Sequence, residues 1–129
     1  MSGYKSAHLN DIKAEQWPYW APIRHHFDIG AFGINAWSGT DGDEVIKRHT
    51  ESESRQEELF MVMSGRRTFT VDGEDVEAPA GTLVFVTDPS AERVAFAKEA
   101  GTVVLSIGAP RGSTYEPSGW DTNYLEGGS

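Results

Sequence analysis

One carboxylate stands out by its setting. Glu58 precedes the apolar run Leu59-Phe60-Met61-Val62-Met63, and at strand period it shares a face with Phe60 and Val62. A carboxyl group beside an apolar surface is suited to acid/base work. The competing role is structural: Glu58 pairs with an arginine (Arg93, Arg67 or Arg48) and orients its strand. Two histidines form a second group. His25 falls with Ile23, Phe27 and Ile29 on one face of an alternating segment, and His26 falls with Arg24 and Asp28 on the other. A histidine on an apolar face is more often a satisfied core residue than a ligand. Both are nevertheless pocket candidates, because an early strand of a small β domain reaches its mouth. His8 belongs to the N-terminal stretch.

The chain carries four tryptophans. Trp17 and Trp20 bracket Pro18-Tyr19, Trp37 ends an apolar segment, and Trp120 lies near the C-terminus. Indoles in this number either pack arms across the domain or line a pocket for a small organic ligand. On the second reading Trp37, Phe60, Val62, His25 and His26 form the pocket.

Several chemistries are excluded. There is no cysteine, hence no disulfide, thiolate zinc site, Fe–S cluster or cysteine nucleophile. No Walker-type loop, G-x-S-x-G elbow or H-E-x-x-H motif occurs. Eleven basic residues against twenty acidic ones give a net charge of -9, which disfavours nucleic acids and anionic membranes as partners. No apolar run approaches the roughly 20 residues of a membrane helix. Met1-Ser2-Gly3-Tyr4-Lys5 has no apolar core of a secretory signal, so the expected location is cytoplasmic.

A length of 129 residues predicts one domain. Alternation predicts strands over 22–29 and 66–72, an apolar aromatic-rich piece continues over 31–37, and further strands are expected at 44–49, 93–97 and 102–107, with turns at Gly39-Thr40-Asp41-Gly42-Asp43, Asp72-Gly73 and Pro79-Ala80-Gly81. The runs 59–63 and 67–71, joined at Ser64-Gly65, read as a β-hairpin. Segment 82–87 is apolar on both faces, which predicts burial on both sides. One short helix is expected near 10–16, with Asn10 as N-cap. Many short strands predict an all-β sandwich or barrel. The expected organisation is an N-terminal arm over 1–20, a β-barrel over 21–109 and a C-terminal arm or tail over 110–129.

From about Asp43 to Gly108 the sequence resembles the cupin superfamily. The match is strongest over Glu57-Glu58-Leu59-Phe60-Met61-Val62-Met63-Ser64-Gly65 and Thr68-Phe69-Thr70-Val71-Asp72-Gly73, where Glu58, six residues and Gly65 fit the end of the first cupin motif. The second motif begins at Gly81, with Leu83-Val84-Phe85-Val86 as its strand. The resemblance implies a double-stranded β-helix, the jelly-roll barrel of cupins. It also implies a divalent metal on two histidines and the glutamate of the first motif and the histidine of the second. Here the His-x-His pair falls on His49 and Glu51, or on Glu51 and Glu53, and Glu92 takes the place of the last histidine. A site of His49, Glu51, Glu58 and Glu92 is hard and anionic and suits Mn²⁺, Fe²⁺ or Mg²⁺ better than copper. The cofactor expected on this resemblance is Mn, Fe, Ni or Zn, or none. In the opposing reading Glu51 and Glu53 lie in a polar loop and face water.

The leading functional expectation is a small-molecule-binding cupin with a degenerate metal centre. The alternatives are a divalent-metal-dependent oxygenase or isomerase, and a sensor or interaction module without chemistry. The central strand is apolar on both faces, so one face needs cover from an arm or a second barrel, and the expected partner is a second copy.

Overall fold

The computed structural model describes residues 3–14 and 19–117. Nine strands and one short helix follow in order: β1 (Trp20–Ala21), α1 (Ile23–Phe27), β2 (Gly33–Gly39), β3 (Glu44–His49), β4 (Gln56–Ser64), β5 (Arg66–Val71), β6 (Glu74–Pro79), β7 (Leu83–Val86), β8 (Arg93–Ala97) and β9 (Thr102–Pro110). They form two antiparallel sheets, β1-β2-β9-β4-β7 and β3-β8-β5-β6.

Period-2 alternation builds the space between the sheets. On β4, Phe60 and Val62 point inward and are fully buried, while Leu59 and Met61 lie on the other face and are only partly covered. Val45, Ile46, Phe69, Val86, Val94, Ala95 and Val104 are also buried, and all but Val94 join Phe60 and Val62 in one cluster. Phe60 and Phe69 meet across the gap with ring centres 5.3 Å apart. A second cluster covers part of the outer face of the larger sheet, where Leu9, Ile12 and Ile23 pack on Ala21, Ala36, Val103 and Leu105.

The turn at Asp72-Gly73 is where the alternation places it. Val71 pairs with Glu74 across it, and both turn residues have positive φ, 48° and 81°, as a two-residue primed turn requires.

Four local expectations need correction. Ser64-Gly65 does not close a hairpin. Ser64 pairs with Val103 in one sheet and Arg66 with Pro79 in the other, so the chain crosses between sheets there. Gly65 has φ 74°, and a Cβ at this corner would run into Thr102. Segment 22–29 is not a strand: Ile23–Phe27 is helical. Asp28 ends it in the left-handed region, its N–H directed at the Arg24 and His25 carbonyls, so local hydrogen bonds override a short alternation. Strand β7 is not buried on both sides. It pairs only with β4 at the sheet edge, leaving Leu83 60% and Phe85 49% exposed. The first helical turn is a 3₁₀ turn over Leu9–Asp11 capped by His8, whose ring accepts from the Asn10 N–H, so Asn10 is not the cap. Residues 15–18 and 118–129, including Trp17 and Trp120, lie outside the described residues.

Candidate functional site

The side chains that could do chemistry meet where β3 ends, β4 begins and β8 begins. His49 closes β3, Glu51 lies in the following loop, and Glu58 projects inward from β4. His49 Nε2 is 2.9 Å from Glu51 Oε2 and 3.5 Å from Glu58 Oε1. Its Nδ1 is 2.6 Å from the Lys47 carbonyl oxygen. A carbonyl only accepts, and so do ionised carboxylates. Both ring nitrogens therefore carry protons, and the imidazole is cationic. Burial opposes that charge, but the hydrogen bonds to Glu51, Glu58 and the Lys47 carbonyl outweigh it and raise the His49 pKa to about 10. Burial likewise opposes the Glu51 carboxylate; its bonds to His49 and Ser54 win, and its pKa falls below the usual value.

The loop is shaped to present Glu51. The Glu51 N–H donates to the Pro89 carbonyl at 2.7 Å, and its own carbonyl accepts from the Arg55 N–H at 2.7 Å. Ser54 Oγ donates to Glu51 Oε1 at 2.6 Å. Arg55 takes a left-handed φ of 61°, a conformation that a side-chain-bearing residue adopts at some energetic cost.

Glu58 has a second cationic neighbour. Arg93, fully buried, donates from Nη1 to Glu58 Oε1 at 2.8 Å. Its other nitrogens donate to the carbonyls of Asp88, Pro89 and Ala91. Arg93 thus ties the loop before β8 to the Glu58 carboxylate. Two cations and two anions balance, which suits a cluster that is mostly withdrawn from water. Room for it comes from Gly108, the β9 partner of Glu58. A Cβ there would stand 3.2 Å from Glu58 Cγ and 2.8 Å from Gln56 Oε1.

The cluster opens into a cavity of about 1020 Å³. Trp37, Val45, Ile46 and Phe60 supply apolar wall, while Asn35, Gln56 and Ser106 add polar groups. Of the residues singled out in the sequence, His49, Glu51, Glu53, Glu58, Trp37 and Phe60 line it. Val62 does not line the cavity; one pleat beyond Phe60, it is core, fully buried. His25 and His26 sit on α1 and do not line it, because helix replaces the expected strand; His26 is exposed, edge-on to Phe27. Glu92 does not join the metal-type group. It faces outward and pairs with Arg48 at 2.8 Å, the Glu92 side chain half exposed. The pleat sends alternate residues to opposite faces, so the inward place belongs to Arg93. Glu53 is exposed in the loop. Glu58 faces the cavity and takes the arginine pairing considered for it, with Arg93 as the partner.

The nitrogen of His49 and one oxygen each of Glu51 and Glu58 lie within 4.8 Å of one another. The donor set fits a hard divalent ion. The Nδ1–H bond to Lys47 leaves Nε2 as the ligating atom once its proton is displaced, the usual arrangement behind a metal-bound imidazole.

No known family profile matches the sequence, and no curated protein matches it. Solved structures do. A cupin protein of Bacteroides fragilis superposes with a TM-score of 0.70 at 20% identity, over 92% of this chain and 93% of that one. A sugar phosphate isomerase from a cupin superfamily of Silicibacter pomeroyi gives 0.62 at 17% identity, over 77% and 65%. An RmlC-like cupin protein of Desulfovibrio desulfuricans gives 0.53 at 23%, over 63% and 74%. The chain shares the fold of these cupin structures. Among the described residues no helix is long and apolar enough to cross a membrane.

Proposed function

We propose that this cupin binds a small organic molecule in the cavity between its sheets, with the ligand's polar end against the His49–Glu51–Glu58–Arg93 cluster and its body along Trp37 and Phe60. One observation carries the reading. A charged, hydrogen-bonded cluster stands at the wall of a cavity of about 1020 Å³ that has one apolar wall, Trp37, Val45, Ile46 and Phe60, and is otherwise lined mostly by polar side chains. Such a cavity is at the upper end of ligand-site size, roughly 300–1,000 Å³. The test is a thermal-shift and NMR screen of small organic compounds on the wild type and Glu51→Gln. Compounds that stabilise the wild type and move the Trp37 indole signal, with weaker binding to the variant, support the reading. A screen in which none moves that signal overturns it.

A second reading has its own observation, the convergence of His49, Glu51 and Glu58. In it these residues hold a divalent ion, which supplies Lewis-acid polarisation to a ligand oxygen, and the protein is an enzyme. Elemental analysis of protein purified without chelator distinguishes the two. Near-stoichiometric Mn, Fe, Ni or Zn, lost in His49→Ala, supports the second reading, and its absence removes it. The proposal also includes a homodimer. Met63 (46% exposed), Leu83 and Phe85 form an apolar surface on β4 and β7 that a second copy would cover.

A further inference from the structure

Two indoles turn one wall of the cavity into a surface of hydrogen-bond donors. Asn35 on β2 and Ser106 on β9 are direct partners across the strand pair, both are buried, and both line the cavity. Trp20 donates its indole N–H to Asn35 Oδ1 at 2.8 Å. An indole nitrogen is a donor only, so this bond fixes the amide orientation: the oxygen turns to Trp20 and the NH₂ group is left over. Trp37 donates to Ser106 Oγ at 3.0 Å, so the Ser106 hydroxyl proton is likewise left over. Among the described residues neither the Asn35 NH₂ nor the Ser106 hydroxyl proton has an acceptor in the structure. The Asn35 NH₂ is not among the fully enclosed groups that lack a partner; it opens onto the cavity that Asn35 and Ser106 line, where a ligand acceptor can take the place of water.

We infer that Asn35 and Ser106 form a two-donor subsite for an acceptor oxygen of carbonyl or carboxylate type on the bound molecule. This rests on the proposed small-molecule cavity and adds the ligand's chemical class. The cavity is then chemically two-sided. Glu51 and Glu58 belong to an ionic cluster at one part of its wall, and the β2–β9 wall offers neutral donors. A ligand that satisfies the β2–β9 wall carries a C=O or COO⁻ group, and an ammonium or other group with only donors does not satisfy it.

The test uses three probes with one skeleton, benzamide, benzoate and benzylamine, titrated into the full-length protein. The side-chain amide signal of Asn35, assigned by its loss in Asn35→Asp, is followed by ¹H–¹⁵N NMR beside the Trp37 indole signal. The expected result is saturable movement of the Asn35 amide with benzamide or benzoate and none with benzylamine; the stronger of the two oxygens tells amide-type from carboxylate-type ligands. Asn35→Asp keeps an oxygen for Trp20 but removes the donors. It should weaken the better acceptor probe about tenfold, the usual effect of one neutral hydrogen bond. Ser106→Ala should weaken it several-fold. If the Trp37 signal moves while the Asn35 amide stays still, or if Asn35→Asp binds the probe as tightly as the wild type, the subsite is refuted and the cavity reading stands. If no probe moves either signal, the subsite falls, and the broader compound screen decides the cavity reading separately.

Discussion

Replacing Arg67 by methionine should make this protein more stable. Arg67 lies on β5 with alanines as its register neighbours, Ala78 on β6 and Ala97 on β8. Its side chain is fully buried, and among the described residues Nε, Nη1 and Nη2 have no hydrogen-bond partner. What it has is the face of Phe69, 5.5 Å from the guanidinium carbon. Burial pulls its pKa down to about 10, a fall worth about 3 kcal/mol against the charged folded state. The cation–π contact returns about 1 kcal/mol. Methionine keeps much of the apolar stem and removes the charge, so Arg67→Met should gain about 2 kcal/mol. For a chain of this size that is a rise in Tm of about 8 °C. The sign can be checked by pH. A cation whose folded pKa is lowered binds more protons when unfolded, so the penalty is complete at neutral pH and fades as pH climbs through about 10. The gap between variant and wild type should therefore be full at pH 7 and narrower at about pH 10.5, measured by calorimetry or by urea unfolding. A fall in Tm at pH 7, as for loss of a well-packed core group, would refute the reasoning.

Three other outcomes follow from the same geometry. Glu58→Gln leaves the fully buried Arg93 without its counterion, and urea unfolding should show a loss of about 3 kcal/mol, as for one partner removed from a buried pair; unchanged stability would show that the backbone carbonyls alone hold Arg93. In chelator-treated protein the His49 ring should remain protonated well above neutral pH by NMR, since its pKa is raised to about 10. Its contribution to stability is present below the ordinary histidine range and disappears as pH rises toward 10, while that of Glu51, whose pKa is lowered, disappears as pH falls below the ordinary carboxylate range; His49→Gln should flatten the alkaline side of the stability profile. Light scattering should find a dimer for the wild type and a monomer for Phe85→Glu, because a charge on the 49%-exposed edge residue opposes burial of that face; a monomeric wild type removes the dimer proposal.

Much of the architecture was legible because alternation is plain in β5 and the apolar run of β4 is short and bounded by turn residues. Strand period puts Glu58 on the face of Phe60 and Val62, which is where it lies. The misses have physical causes. Ser64-Gly65 is short enough for a hairpin and equally short enough for a corner between sheets, and only the partners of Ser64 and Arg66 decide. Segment 22–29 is too short for its period to separate strand from helix, and a left-handed Asp28 closing the helix is not visible in its residue type. Counting along the second motif puts Glu92 at the ligand position, and a count off by one residue inverts the face in a strand. Arg93 was considered as a partner of Glu58, but its buried place at the cluster depends on which residue of β8 turns inward.

The outward position of Glu92 and the inward one of Arg93 set the electrostatics of the site. With Glu92 as a fourth ligand, three carboxylates would face one imidazole, and the group would need a metal or extra protons to stay buried. With Arg93 in the inward position, the ionised cluster is neutral, held by bonds among its own side chains and to Ser54 and the carbonyls of Lys47, Asp88, Pro89 and Ala91, so it needs no metal to balance its charge. A divalent ion entering would displace the Nε2 proton and add one net charge beside Arg93, so its affinity should be lower than that of a site with a neutral ligand in that place. The donors open to a ligand lie instead on β2 and β9, where among the described residues Asn35 and Ser106 keep protons not used by Trp20 and Trp37. Selection of a ligand is therefore set more by that wall than by the ionic cluster, and exchanging Asn35 should alter which molecules bind more than exchanging His49 does.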